Sequence, residues 1–223
     1  MTTPSVALCV SCALIASASA SANFTGYSVD RAITTAGNTQ YKVYANFSAA
    51  NLVFLGAFNW QILGGALNAR HQDAAEDADG NPSQSWSASA NLLGSVARDN
   101  DSWVTASGSG TAAGNDAALD PGFNPSNGSS IPNGAGWFDA TPGTANLIGA
   151  GGASGYRMLI MQIVRTGNDC QGGNSDIVFS LQVSYRVTGS NTTVGQGNLV
   201  IPCPAPGAMA LLCCAGCVRG RKR

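Results

Sequence analysis

Between Asn23 and Leu199 the apolar residues come in short runs, and each run is bounded by Gly, Asn, Asp, Ser or Pro. An amphipathic helix needs apolar residues recurring at three- and four-residue spacing over several turns. The body of the chain shows no such stretch. Gln40-Tyr41-Lys42-Val43-Tyr44-Ala45-Asn46-Phe47 alternates with a period of two and is rich in aromatic and β-branched residues, which is the pattern of a half-buried strand. Asn51 to Leu63 reads as one or two strands around Gly56, Ser102-Trp103-Val104-Thr105 as a short one, and Gly197 to Ile201 as a final edge strand. Tyr156 to Val164 and Asp176 to Val187 form the strongest pair. The turn-rich stretch between them predicts an antiparallel hairpin. His71 to Ser89 and Gly108 to Gly136 read as long loops.

These features predict an all-β fold: an antiparallel β-sandwich, jelly-roll-like, with long Gly/Asn/Asp-rich loops and a short apolar helix at each end of the chain. A β-helix would need a repeat of fixed period, and the sequence has none.

Charge narrows the functional classes. Only 10% of residues are charged, and four of the eleven basic ones (Arg219, Arg221, Lys222 and Arg223) fall in the last five positions. Without that tail, seven basic residues face twelve acidic ones, a net charge of −5. Such a body lacks the basic surface that releases counterions from a phosphate backbone, so no nucleic-acid partner is expected.

Both ends read as targeting devices. Val6 to Ala16 is apolar apart from Ser11, and Ala18-Ser19-Ala20-Ser21-Ala22 follows, so residues 1–22 have the layout of a secretory signal peptide. Small residues two apart place cleavage by signal peptidase after Ala20 or Ala22. At the other end, Pro202, Pro204 and Pro206 make a rigid extended spacer. Eleven to fourteen apolar residues around Ala208 to Val218 follow, then the basic cluster. At about 1.5 Å per residue this run covers about 16–21 Å, short of the roughly 30 Å hydrocarbon core. The layout suits a transient membrane anchor whose basic end stays cytoplasmic. The chain thus divides into residues 1–22, an extracellular domain over 23–199 and a sorting tail over 200–223.

This tail resembles the PEP-CTERM sorting signal of Gram-negative bacteria: a Pro-x-Pro motif, a short apolar helix and clustered arginines. Pro204-Ala205-Pro206-Gly207 is similar to the Pro-Ala-Pro-Gly variant of planctomycete proteins. The resemblance implies processing by an exosortase-like enzyme at the inner membrane of a Gram-negative-type bacterium. Delivery to the cell surface or extracellular matrix would follow. Tyr41-Lys42-Val43-Tyr44, Asp101-Ser102-Trp103-Val104-Thr105, Asp120-Pro121-Gly122-Phe123, Gly136-Trp137-Phe138 and the strand Tyr156 to Val164 are similar, more loosely, to stretches of the ectodomains in that family. The family implies a secreted or surface domain and supplies no catalytic residues.

The residues themselves suggest little chemistry. His71 is the only histidine and lies in a polar stretch, and no Gly-x-Ser-x-Gly elbow exists to present a serine nucleophile. Glu76 is the only glutamate, so a pair of carboxylates would have to come from scattered aspartates. No enzyme is expected. Seven cysteines do not make a disulfide framework: Cys9 and Cys12 lie in the signal region and Cys213, Cys214 and Cys217 in the tail, leaving Cys170 and Cys203. Asp73, Asp77, Asp79 and Asn81 surround Gly80 and offer oxygen ligands for calcium, the one cofactor the sequence suggests. Trp60, Trp103 and Trp137 sit in apolar surroundings and belong to a core. Trp86, flanked by Ser85 and Ser87, is the tryptophan expected at the surface, where its ring could stack on a sugar. Two roles follow as expectations: a non-catalytic structural or adhesive surface protein, released or attached to surface polysaccharide after processing, or a secreted carbohydrate-binding module assisted by calcium.

Overall fold

The computed structural model describes residues 23–50, 52–70, 86, 99–106, 117–121, 123, 130–140, 142, 156–166, 176–187 and 191–201. Among these residues nine strands form: β1 (Phe24–Ile33), β2 (Thr39–Phe47), β3 (Leu52–Gly64), β4 (Trp103–Val104), β5 (Ala117–Leu119), β6 (Trp137–Asp139), β7 (Tyr156–Arg165), β8 (Ile177–Val187) and β9 (Thr192–Ile201). They form two antiparallel sheets, one of four strands in the order β1-β2-β7-β4 and one of five in the order β5-β6-β3-β8-β9. The sequence expectation of a β-rich, antiparallel body holds. The apolar helices expected at the two ends lie outside the described residues.

Period-two patterning decides which side of each strand faces inward. On β2, Tyr41, Val43, Ala45 and Phe47 are buried, while Lys42, Tyr44 and Asn46 between them are half-buried. On β8, Ile177, Phe179, Leu181, Val183 and Tyr185 point into the same core. Each fully buried Val, Leu, Ile or Phe contributes roughly 1.5–3 kcal/mol relative to its exposed state. Trp60, Trp103 and Trp137 are all core residues, as their surroundings predict. Trp60 stacks on Phe179 at 4.3 Å, and the Trp137 indole donates to the Thr105 carbonyl at 3.1 Å.

Strand β7 reads as a nearly continuous apolar run, and the structure gives the reason. Residues from Ile160 to Arg165 are all buried, as in strands covered on both faces. The segment carrying β4 lies along it. Thr105 N–H donates to the Ile160 carbonyl (3.0 Å), and Arg70 N–H donates to that of Val164 (2.7 Å). Side-chain amides reinforce the two-residue strand: Gln162 Nε2 donates to the Asp101 carbonyl (2.8 Å) and Gln40 Nε2 to that of Asp99 (3.0 Å).

The expected hairpin of Tyr156 to Val164 with Asp176 to Val187 does not form. Strand β7 pairs with β2 and β4, whereas β8 pairs with β3 and β9 in the other sheet. A two-residue turn would fix a hairpin, but a connection running from 166 to 176 does not force the chain back alongside itself. Placing β7 and β8 in opposite sheets instead lets both apolar faces meet in one core. Asn51 to Leu63 resolves into one strand, β3, whose register shifts at Phe58/Gln61, where Asn59 adopts a left-handed φ of 55°. The edge strand expected at Gly197 begins earlier, at Thr192, and the stretch read as a loop over 108–136 contains β5.

Strand β1, at the edge of the four-stranded sheet, is tied across the core to β8 of the other sheet. The Phe24 N–H on β1 donates to the Tyr185 hydroxyl on β8 (3.0 Å), and the Tyr27 hydroxyl donates to the Leu181 carbonyl (2.8 Å). Phe24, Tyr27, Phe47 and Tyr185 meet edge-to-face, with centroids 4.9–5.9 Å apart. Gly195 on β9 leaves room for the Phe24 ring: a Cβ there would lie 2.5 Å from Phe24 Cβ.

Candidate binding face

The outer face of the five-stranded sheet is built by the residues that alternate with the core positions of β8. Gln182 stands opposite Phe58 of β3 on one side and Gln196 of β9 on the other. Ser184 stands between Gly56 and Val194, and Gly56 in turn faces Phe138 of β6. Ser180 stands between Gln61 and Asn198. Three rows thus cross the sheet, made of amides, hydroxyls and apolar groups. Gln182 Nε2 donates to Gln196 Oε1 (3.1 Å), and Gln61 Nε2 donates to Asn59 Oδ1 (3.3 Å). The Ser184 hydroxyl lies 3.4 Å from the Gly56 carbonyl.

Of the two aromatic groups on this face Phe58 is half-buried and Phe138 is 45% exposed, while its neighbour Trp137 is 1% exposed. Beside it lies a shallow hollow of about 90 Å³, lined by Gly56, Phe58, Asp120, Phe138 and Ser184 among others. The hollow exists because Gly56 and Gly136 let β3 and the start of β6 approach closely: a Cβ on Gly56 would stand 2.5 Å from the Trp137 carbonyl oxygen.

The outer face of the four-stranded sheet has a different character. Arg157 forms a two-point ion pair with Asp30 (3.0 and 3.2 Å) and lies 4.1 Å from the centre of the Tyr44 ring. Burial, together with the Asp30 carboxylate, holds the Tyr44 hydroxyl above its ordinary pKa. Lys42 stands opposite Asp30 in the β1–β2 register.

Trp86 is not the surface ring its serine neighbours suggest. It is 1% exposed, its carbonyl accepts the Val104 N–H (2.8 Å), and its ring lies 6.4 Å from Phe123. Its packing partners, which come from distant parts of the chain, bury the indole despite its serine neighbours. With no open ring face, Trp86 offers no platform for a sugar. The calcium candidates Asp73, Asp77, Asp79 and Asn81 lie outside the described residues. So do the cleavage residues Ala20 and Ala22, the sorting motif Pro204, Ala205, Pro206 and Gly207, and the basic end Arg219, Arg221, Lys222 and Arg223. Among the described residues no group of three or more His, Cys, Asp or Glu could hold a metal, and no helix is long and apolar enough to cross a membrane.

The exposure of Phe138 is written into its own strand, whereas nothing local to Gln182 marks its place on this face. The signal was present in Gly136-Trp137-Phe138: alternation sends one ring inward and the next outward. Comparison of the chain with known protein families, curated proteins and solved structures finds no match.

Proposed function

We propose that this chain is an exported surface or extracellular-matrix protein whose β-rich body has a structural and adhesive, non-catalytic role. Residues 1–22 direct export through the inner membrane of a Gram-negative-type cell. Residues 200–223 then hold the protein at the membrane until an exosortase-like enzyme processes it. The outer face of the five-stranded sheet carries this reading: rows of neutral hydrogen-bonding side chains beside an exposed phenyl ring suit contact with another surface better than proton transfer.

We read the two sheets as a β-sandwich of jelly-roll type. In a jelly roll an antiparallel ribbon is wrapped so that each strand gains a second neighbour. Here β2 runs against β7 and β3 against β6 as in the ribbon, and wrapping brings β3 beside β8 and β4 beside β7. The departures are at the margins, where β9 takes the place beside β8, β1 adds to β2, and β5 lies beside β6 rather than β4.

Intact-mass analysis of surface and medium fractions from a related host expressing the tagged full chain tests the export reading. Loss of residues 1–20 or 1–22, and of the tail near Pro204, is the expected result. A membrane-bound species still ending at Arg223 would leave a plain tail-anchored protein. A cytoplasmic species retaining Met1 would overturn export altogether.

A further inference from the structure

We infer that the outer face of the five-stranded sheet binds a neutral polysaccharide, with Phe138 as the ring platform and Gln182, Gln196 and Gln61 reading hydroxyl groups. This rests on the adhesive reading above and gives that role a partner class.

Hydrogen-bonding chemistry selects the ligand. A sugar hydroxyl both donates and accepts, and so does an amide, whereas a carboxylate only accepts and an ammonium only donates. The Gln182–Gln196 bond uses one donor and one acceptor, which leaves Gln182 Oε1 and the second Gln196 N–H for other partners. Gln196 and Gln61 are exposed and Gln182 is half-buried, so solvent reaches all three.

Shape and charge agree with that choice. Successive strands stand about 4.8 Å apart, so the row Val194–Ser184–Gly56–Phe138 spans about 14 Å. That is the reach of a short extended oligosaccharide rather than a single small molecule. The hollow beside Phe58 and Phe138 would seat the apolar C–H side of one ring, while the amide row follows its hydroxyl rim. The three rows carry no charged side chain. Asp120 lines the hollow, and Arg186 stands on β8 beyond the rows, opposite Val53 and Thr192. An anionic polymer would therefore meet no cationic partner within the rows. The charged groups Asp30, Lys42 and Arg157 belong to the other sheet.

Phe138 itself supports the assignment. Covering an aromatic ring of this size stabilises a fold by roughly 1.5–3 kcal/mol, yet this one stays 45% exposed beside two residues without bulk, Gly56 and Ser184.

The test is affinity electrophoresis of the full chain, kept soluble in a detergent with no sugar headgroup, through gels containing neutral glucans, mannan or xylan, and in parallel alginate. Retardation by at least one neutral polymer, insensitive to salt, is expected. Phe138→Ala should weaken it at least about tenfold, and Gln182→Ala or Gln196→Ala about two- to tenfold. Ile33→Ala, which trims an exposed apolar side chain on the other sheet, should leave it unchanged. Melting curves of each variant establish that it is folded. Binding that survives both Phe138→Ala and Gln182→Ala, or retardation by alginate alone, overturns the inference. Attachment of cells bearing and lacking the protein separates the two readings. Protein-dependent attachment that no neutral glycan competes sinks the polysaccharide assignment alone, whereas no protein-dependent attachment sinks the adhesive role with it.

Discussion

Replacing Gly56 by Ala should damage the fold far more than replacing Gly64 by Ala on the same strand. At Gly56 the new Cβ would lie 2.5 Å from the Trp137 carbonyl oxygen, 2.8 Å from Phe138 Cβ and 2.9 Å from Phe138 Cα. Ordinary contact begins near 3.4 Å, so β3 and β6 must separate by about 0.9 Å. Two of the obstructing atoms are backbone, and no rotamer change moves them. Overpacking of this kind costs about 1–3 kcal/mol, and the upper half of that range applies where the backbone itself must shift. For a domain of this size each kcal/mol lowers the melting temperature by roughly 2–4 °C, which gives a fall of about 4–12 °C. At Gly64 the nearest atoms are Val178 Cβ and Cγ2, both 3.8 Å away, so a methyl group fits. That variant should melt within about 1 kcal/mol of the wild type, and on the stable side if the unfolded chain loses entropy. Thermal unfolding by circular dichroism compares the two. Hydrogen exchange should place the first loosening at β6, which holds only three residues. Equal melting temperatures for Gly56→Ala and Gly64→Ala would refute the close approach of β3 and β6.

Trp86→Ala should destabilise by about 3–5 kcal/mol, read as a shift in denaturant midpoint, because the indole is enclosed; a cost under about 0.5 kcal/mol would return it to the surface. Tyr27→Phe removes the hydroxyl that crosses to the Leu181 carbonyl and should cost about 1 kcal/mol in the same measurement. Alkaline titration gives an independent check, since burial raises the Tyr27 pKa and burial with Asp30 raises that of Tyr44. Their contribution is complete below the unfolded value near pH 10 and is lost as pH rises through the raised folded values. Phenolate absorbance from these two rings should therefore appear together with unfolding, and less steeply in Tyr27→Phe. Arg157→Ala breaks a solvent-facing ion pair and should cost less than about 1 kcal/mol at low salt, with a smaller cost at high salt.

The strands were legible where one face of a strand settles its pattern alone. Tyr41, Val43, Ala45 and Phe47 announce β2 by alternation, and the apolar neighbours of Trp60, Trp103 and Trp137 announce the core. Pairing was not legible. Which strand lies beside β8 depends on β3, more than a hundred residues earlier, and nothing local to Asp176–Val187 encodes that choice. The turn-rich stretch after β7 signals a change of direction, but the same residues serve a reversal within one sheet or a crossing to the other. Trp86 failed for a related reason. Its serine neighbours describe the chain on either side of it, whereas its burial is decided by Val104 and Phe123, which arrive from elsewhere.

The same non-locality shapes the candidate binding face. Gln61 comes from β3, Phe138 from β6, Gln182 from β8 and Gln196 from β9, so no short motif could contain them. What brings them together is register. The β8–β9 ladder is unbroken from Ile177↔Ile201 to Arg186↔Thr192, which fixes Gln182 opposite Gln196 and Ser184 opposite Val194. A slip of β8 by one residue would turn Gln182 inward and expel Leu181 and Val183, both fully buried. The apolar core therefore specifies the polar face it never touches. Phe24 and Tyr27 reinforce that register from the other sheet, because the Tyr27 hydroxyl reaches the Leu181 carbonyl and the two rings fill the space that Gly195 and Gly197 leave on β9. A bulkier residue at Gly195 would thus perturb the amide rows through the core side of the strand, without altering any group on the face itself.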